Sequence, residues 1–237
     1  MHSQQPVTCW RQERQGPSAA RNAAVRRAHG ELIAFLDADD LWPPNTLASQ
    51  VEILAGRPDA ALVFGDCRQF DASGPRPRTL FAEGGFGRPA WGDRGIVPDA
   101  YSRLLRDNFI TTGSVVAHRR ALEAVGGFEE SLGLVEDLDL WLRIAWRQPI
   151  AWNGTVCLMR RRHDANLSRR SEEMSLAYLD VLGRQEMLYG DELERRGISI
   201  QSLRAGEYLE MARRALRHRN YRAGAKWAHH AALAEPA

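Results

Sequence analysis

Three carboxylates stand at the end of an apolar run early in the chain. Residues 32–36 are apolar, and Asp37, Asp39 and Asp40 follow at once. Carboxylates this close repel one another unless a cation or hydrogen-bond donors offset their charge. Ligands of open α/β sheets bind beyond the carboxyl ends of the strands, and hard oxygen ligands favour Mg²⁺ or Mn²⁺. The cluster predicts a divalent metal site that accepts phosphate oxygens; the alternative is an acidic turn before a helix opened by Pro43 and Pro44.

The cluster belongs to the first of three segments that follow one another along the chain. Residues 15–42 read Q-G-P-S-A-A-R-N-A-A-V-R-R-A-H-G-E-L-I-A-F-L-D-A-D-D-L-W. The second segment has Gly-Gly-Phe at residues 126–128 followed by E-D-L-D-L-W-L-R at residues 136–143. The third reads R-R-R-H at residues 160–163. In order and separation these segments resemble family 2 glycosyltransferases, whose GT-A fold binds a nucleotide sugar.

The resemblance implies a role for the acidic cluster in binding the donor. It would hold a divalent metal, Mn²⁺ or Mg²⁺, with the ribose and diphosphate of a nucleotide diphosphate sugar. Asp39 is the first choice of ligand; Asp37 and Asp40 are included because family members differ in which carboxylate touches the metal. His163 is a further candidate ligand, since neutral imidazole binds divalent metals, and its alternative is a structural role.

The resemblance also implies a catalytic carboxylate on the acceptor side. An acceptor hydroxyl is a poor nucleophile at neutral pH, so its attack on the anomeric carbon needs a general base opposite the diphosphate. In the family this base of an inverting displacement is the aspartate that matches Asp137, and Glu136 would orient the acceptor or its loop. Asp139 is either catalytic as well or, as we favour, a carboxylate placed at a helix N-terminus by the helix dipole.

Two further residues are candidates for the donor site. Arg21 lies in a segment that borders the nucleotide site in the family, so it could neutralise phosphate; the alternative is a salt bridge to the acidic cluster. Gly113 resembles a position where a sugar approaches the backbone, because glycine removes a side-chain obstacle. The alternative for Gly113 is an ordinary turn at the start of a strand.

The expected function is inverting, metal-dependent transfer of a sugar to the hydroxyl of a glycan or lipid-linked acceptor. The front of the chain departs from the family, because the strands that grip the nucleotide base are missing ahead of residues 16–18. We expect that the chain is a fragment or that its reading frame was started at the wrong position. The alternatives are that it pairs with a second polypeptide, or that it is a degenerate protein that keeps the motifs without turnover. The competing function is a catalytically silent truncated domain that binds a glycan or a partner. Metal-dependent phosphoester hydrolysis would need more ligands than the sequence offers.

Composition excludes few classes of protein but favours a soluble, globular one. The 237 residues are 44% hydrophobic, and 32 basic against 30 acidic residues give a net charge of +2. This balance argues against a dedicated nucleic-acid binder. Three cysteines with no metal-ligand spacing favour a reducing compartment. Because no apolar run reaches a membrane span, we expect a cytoplasmic protein whose membrane contact, where it occurs, is peripheral.

The pattern of elements predicts an α/β class with a GT-A-like, Rossmann-like mixed sheet flanked by helices. Ser18 is the expected N-cap of a helix that stops at Gly30, and residues 32–36 form a strand covered on both faces. Residues 73–98 form a long loop over the active face. The other expected elements are helices at 44–55, 99–106, 119–125 and 140–146 and strands at 60–65 and 114–117.

The last quarter of the sequence is helical in its periodicity. This predicts two units, a partial GT-A domain at residues 1–170 and a helical C-terminal extension at residues 171–237. The end of the extension has the spacing of one tetratricopeptide-like hairpin. A single repeat buries little surface, so we favour helices that pack on the catalytic domain or on a partner chain, including a second copy.

Overall fold

The computed structural model of the protein describes residues 7–84, 92, 94–162 and 171–234. Its strands are β1 (Leu32–Ala34), β2 (Leu62–Asp71), β3 (Gly74–Thr79), β4 (Gly95–Ile96), β5 (Val115–His118) and β6 (Ile150–Arg161). Its helices are α1 (Gly16–Arg27), α2 (Thr46–Gly56), α3 (Leu80–Glu83), α4 (Ala100–Arg106), α5 (Arg119–Ala124), α6 (Glu136–Arg147), α7 (Ser171–Arg195), α8 (Ile200–Arg217) and α9 (Tyr221–Ala234).

The strands form one mixed sheet with helices packed around it. The order is β1-β5-β2-β6-β4, and β3 pairs with the outer part of β2. β2 and β6 run parallel, whereas the other neighbours are antiparallel. The central strand β2 starts with Leu62, Val63 and Phe64, which are fully buried, as expected for a strand covered on both faces. The predicted mixed α/β sheet is confirmed.

The strand before the acidic cluster is shorter and more exposed than the sequence suggested. β1 ends at Ala34, and within the described residues it pairs with β5 alone. Ile33 and Phe35 face the core, whereas Ala34 and Leu36 are exposed. The prediction of a strand covered on both faces over residues 32–36 was therefore wrong. An edge strand packed on one face alternates its burial with a period of two, even where every residue is apolar.

Three other expectations need correction. The predicted loop over residues 73–98 contains β3, α3 and β4, because β2 continues past Gly65 and turns into a hairpin with β3. The first helix begins at Gly16 and ends at Arg27, so Ser18 is a buried residue inside α1 and Gln15 is the N-cap. α6 begins earlier than predicted, which places Glu136 and Asp137 in its first turn.

The C-terminal helices pack on the sheet domain. One continuous apolar cluster contains Phe64 and Trp141 together with Leu182 of α7, Met211 of α8 and Trp227 of α9. The predicted packing of the tail on the catalytic domain is thus observed for α7, and α8 and α9 form a hairpin beside it. The boundary at residue 170 stays a prediction, since the apolar core continues across it.

The lengths and polarity of the helices can be compared with the expectation that the chain has no membrane span. Across the part of the chain that the structure describes, every helix is too short or too polar to cross a bilayer. 

Candidate active site

Arg21 of α1 lies between the two acidic motifs that the sequence singled out. Its Nη2 contacts Asp37 Oδ1 at 3.1 Å, and its Nη1 contacts Glu136 Oε1 at 2.7 Å. The Arg21 and Glu136 side chains are only 17% and 12% exposed, whereas Asp37 is about half exposed. One guanidinium therefore joins the turn after β1 to the first turn of α6, although 115 residues separate Arg21 from Glu136.

Neighbouring carboxylates stabilise the charged form of Arg21. Burial alone would lower its pKa, but the carboxylates of Asp37 and Glu136 raise the pKa of the guanidinium above its ordinary value. The guanidinium also lies over the ring of Phe128, 5.4 Å from the ring centre. The alternative that the sequence offered for Arg21, a salt bridge to the acidic cluster, is observed with Asp37. Phosphate binding by Arg21 stays a prediction.

Asn22 holds α1 in the position that Arg21 requires. Its side-chain amide donates to Phe128 O and to Glu130 Oε1, each at 2.8 Å, and its Oδ1 accepts from Phe128 N–H at 2.9 Å. Gly127 has a φ of +73°, and a Cβ at this position would lie 2.6 Å from Asn22 Oδ1. The glycine is thus needed both for its left-handed backbone and for the close approach of Asn22.

The turn that carries the acidic cluster, residues 37–40, is here called the acidic turn, and it is attached to the end of β6. Leu41 and Met159 form an antiparallel bridge with two backbone hydrogen bonds of 3.0 and 2.8 Å. The backbone N–H of Arg161 donates to Asp40 Oδ1 at 2.8 Å, and its Nε donates to Asp39 O at 2.9 Å. These contacts place the turn beside the arginine-rich segment at residues 160–162.

The three aspartates of the turn have different environments. Asp40 is buried, and burial raises the pKa of its carboxyl, although the Arg161 N–H opposes the shift. Asp37 is exposed and paired with Arg21, and Asp39 is partly buried. Among the described residues, no group of three or more His, Cys, Asp and Glu side chains could hold a metal ion. His163 lies outside the described residues, so its predicted ligand role stays a prediction.

The three aspartates fit a divalent ion only if substrate and water supply most of its ligands. Mg²⁺ and similar ions in nucleotide sites commonly take one or two protein carboxylates, and substrate phosphates and water supply the remaining ligands. Asp39 was the first choice of ligand from the sequence, and its ligand role stays a prediction. The ligand roles of Asp37 and Asp40 stay predictions.

Asp137 occupies a pocket of hydrogen-bond donors at the start of α6. Its Oδ1 accepts from Asn108 Nδ2 at 3.2 Å and from Leu138 N–H at 2.7 Å, and its Oδ2 accepts from the Thr112 hydroxyl at 3.1 Å. Burial and the neighbouring charge of Glu136 raise its pKa to about 6, against the effect of these donors and of Arg21. A carboxylate with this pKa is ionised at neutral pH and accepts a proton more readily than an ordinary aspartate.

The backbone before Asp137 is strained. Val135, the N-cap of α6, has a φ of +52°, which is an outlier for a β-branched residue. Such strain persists where the surrounding contacts fix the chain, and it often marks functional segments. The strained residue turns the chain into α6, so that Glu136 meets Arg21 and Asp137 meets Thr112.

Gly113 has a packing role in the described fold. A Cβ at this position would lie 2.9 Å from Leu158 Cδ1, and the Gly113 carbonyl accepts from Trp42 Nε1 at 2.8 Å. Gly113 therefore supports the acidic turn through Trp42. Its predicted contact with a sugar stays a prediction.

Asp139 belongs to a buried ionic network that connects α6 with α7. It is fully buried and pairs with Arg143 Nη2 at 2.7 Å and with Arg184 Nε at 3.2 Å. Arg143 also donates to the carbonyls of Val125 and Gly127, and Arg184 pairs with Glu129 at 2.8 Å. The favoured prediction, that Asp139 is not catalytic, fits this burial. The two arginine partners, and not the helix dipole alone, explain why a carboxylate is placed here. The i,i+4 spacing of Asp139 and Arg143 was the available signal.

Comparisons with known proteins identify relatives of this chain. The sequence model of the family described as Glycosyl transferase family 2 matches residues 2–125. An uncharacterized glycosyltransferase of Rickettsia conorii is 25% identical over 193 residues, covering 74% of this chain and 29% of the relative. The UDP-Glc:alpha-D-GlcNAc-diphosphoundecaprenol beta-1,3-glucosyltransferase WfgD of Escherichia coli is 28% identical over 170 residues, covering 71% of this chain and 60% of WfgD.

A solved structure shows the same fold. S. aureus TarS 1-349 in complex with UDP-GlcNAc superposes with a TM-score of 0.53 at 13% identity, covering 91% of this chain and 71% of TarS 1-349. The expected GT-A-like fold is confirmed. The family match ends before α6, so the roles of Glu136 and Asp137 depend on the geometry described above.

The ionic network around Asp139 predicts a large effect on stability. Asp139→Asn leaves two arginines without their buried counter-charge, so we expect the free energy of unfolding to fall by about 3 kcal/mol. Urea denaturation measures this loss. Asp180→Asn, on the exposed face of α7, is the matched control and should change stability by less than about 0.5 kcal/mol. Equal stability of Asp139→Asn and the wild type would contradict the network.

Proposed function

Because the chain belongs to glycosyl transferase family 2, we propose that it transfers a sugar from a nucleotide-sugar donor to an acceptor hydroxyl, with inversion at the anomeric carbon. The observation that carries this proposal is the Arg21 bridge. It joins the acidic turn to the Glu136–Asp137 pair. We call the region between these two groups the cleft, and we assign the donor diphosphate and the acceptor hydroxyl to its two sides.

The donor side of the cleft is formed by the acidic turn and Arg21. We assign the diphosphate to this side, where Arg21 offers a guanidinium that matches phosphate oxygens in geometry and charge. Binding there would exchange Asp37 for phosphate as the partner of Nη2, while Nη1 stays on Glu136. Asp39 is the proposed ligand of Mn²⁺ or Mg²⁺. When bound, the ion would offset the negative charge that develops on the departing diphosphate.

The acceptor side is formed by Asp137 and the donors around it. Asn108, Thr112 and the Leu138 N–H fix the direction of the carboxylate, so a free lone pair can meet an incoming hydroxyl. Asp137 takes the hydroxyl proton as the acceptor oxygen bonds to the anomeric carbon. The bond between that carbon and the diphosphate oxygen breaks with its electron pair, and the nucleoside diphosphate leaves.

The relatives suggest which substrates to use as probes. WfgD acts with UDP-Glc on a GlcNAc-diphosphoundecaprenol acceptor, and TarS 1-349 binds UDP-GlcNAc, as their names state. We therefore propose a UDP-sugar as the donor and a lipid-linked sugar diphosphate as the acceptor. Because this chain spans only part of each relative, these assignments rest on the shared family and on the cleft.

We also propose that the protein works in the cytoplasm. Cys9, Cys67 and Cys157 are free, and burial raises the pKa of the Cys67 thiol to about 12 and that of Cys157 to about 11. The two buried thiols stay protonated and unreactive, which agrees with a reducing compartment.

The assigned base predicts a characteristic loss of activity. Asp137→Asn should lower kcat by at least about 100-fold and leave UDP affinity within about twofold, because the base acts on the acceptor. The assay measures UDP release from UDP-glucose and UDP-GlcNAc with a GlcNAc-diphosphate-lipid acceptor. The wild-type kcat/KM should decline as the pH falls through about 6, where Asp137 takes up a proton.

Asp59→Asn, at an exposed position, is the matched control and should keep wild-type turnover. Turnover in Asp137→Asn above a tenth of the wild-type value would overturn the assignment of the base. If the wild type binds UDP but shows no transfer, the silent-domain alternative is supported instead.

The proposed metal ligand predicts a separate binding defect. Calorimetry with UDP should detect weak binding that needs Mn²⁺, and Asp39→Ala should weaken it by at least about tenfold, since the diphosphate loses its shared cation. Asp59→Ala is the control of equal charge and should bind as the wild type does. Equal binding by Asp39→Ala and the wild type, or binding that ignores Mn²⁺, would remove the metal assignment.

A further inference from the structure

The last two helices concentrate the positive charge of the protein. Residues 211–234 contain six cationic side chains and no Asp or Glu. Because the whole chain carries only +2, the remaining residues carry a net charge of −4. The cationic residues are Arg213, Arg214, Arg217, Arg219, Arg222 and Lys226. The protein is thus electrically polar, with its basic pole on the α8–α9 hairpin.

Part of this charge is neutralised within α8 and part is not. Glu210 pairs with Arg217 at 2.8 Å and with Arg213 at 3.8 Å, and Glu207 pairs with Arg214 at 2.9 Å. Arg219, Arg222 and Lys226 are exposed, and none of them forms an ion pair with a carboxylate in the described ranges. These three residues occupy the turn after α8 and the first half of α9.

The outer face of α9 combines charge with apolar surface. Arg222, Lys226, His229 and Leu233 follow one another at helical spacing, so they share one face, and all four are exposed. Gly224, Trp227 and Ala231 on the other side are buried in the hairpin. Leu233 is 64% exposed and Tyr221, at the start of the helix, is 69% exposed. Leu216, at the end of α8, is 48% exposed between Arg213 and Arg217.

We propose that the α8–α9 hairpin docks on the surface of an anionic phospholipid bilayer. Four to eight Lys and Arg residues on an amphipathic helix suffice to attract a protein to anionic lipid. Residues 211–234 of the hairpin have six, of which three pair with Glu207 or Glu210. Arg219, Arg222 and Lys226 contact the headgroups, while Tyr221 and Leu233 enter the boundary between headgroups and acyl chains. The negative remainder of the protein is repelled by the same surface, which orients the hairpin toward it.

The exposed apolar side chains favour lipid over other anionic partners. A nucleic-acid duplex would use the cations but would gain little from the aliphatic Leu233 beside them. A bilayer uses both, since burial of apolar side chains adds to the electrostatic attraction. This docking does not depend on the transfer reaction, and it would bring the cleft to the surface where a lipid-linked acceptor resides.

Vesicle co-sedimentation of the whole chain tests the proposal. The protein should pellet with phosphatidylcholine vesicles that contain about one third phosphatidylglycerol at about 0.1 M salt, and not with pure phosphatidylcholine. The double variant Arg222→Glu with Lys226→Glu should bind at least about tenfold more weakly. Arg78→Glu with Arg120→Glu, an equal charge change at exposed positions elsewhere, should stay within about twofold of the wild type. Equal melting temperatures establish that both variants are folded.

A second variant separates lipid from other polyanions. Leu233→Ser should weaken vesicle binding by about threefold and leave binding to a short RNA duplex unchanged, because only the bilayer buries this side chain. Pelleting that is absent on anionic vesicles, or equal on neutral ones, would overturn the proposal. It would also be overturned if the two double variants lost the same affinity, or if RNA bound as tightly as vesicles and Leu233→Ser had no effect on either.

Discussion

The candidate site depends on the ion pairs of one arginine. Arg21 holds Asp37 and Glu136 at once, and the three side chains come from α1, the turn after β1 and the first turn of α6. Without this cation the two acidic motifs would repel each other across the cleft. The arginine is in turn placed by Asn22, whose hydrogen bonds to Phe128 and Glu130 fix α1 against the loop before α6. The same arrangement leaves Arg21 next to the position that we assign to a donor diphosphate.

Local patterns predicted much of the site, and long-range contacts supplied the rest. The acidic turn, Arg21 and the Glu136–Asp137 pair were identified from the sequence, and a salt bridge between Arg21 and the acidic turn was one of two readings. The contact between Arg21 and Glu136 could not be predicted, because no periodicity relates residues 115 positions apart. The hydrogen bonds of Thr112 to Asp137 and of Arg161 to Asp40 were not predicted, because they also join residues that are distant in the sequence.

The fold shows a similar division between local and tertiary determinants. The types of the helices and strands were predicted from apolar periodicity. The prediction that β1 is buried on both faces was wrong, because the position of β1 at the end of the described sheet is a tertiary property. The tail was correctly predicted as helical, whereas its integration with the core was visible only in the contacts of α7. Arg184 reaches the buried Asp139, and Tyr189 stacks on Trp146 at 4.3 Å. α7 therefore supports the helix that carries Asp137.

A double-mutant cycle on Arg21→Met and Glu136→Gln measures the central interaction directly. The free energies of unfolding of the wild type, both single variants and the double variant give the coupling between the two side chains. We expect a coupling of about 1 to 3 kcal/mol, because the pair is largely shielded from solvent. The exposed pair Arg217 and Glu210, with the same substitutions, should couple by less than about 1 kcal/mol. Effects of Arg21→Met and Glu136→Gln that add within about 0.5 kcal/mol would contradict the bridge.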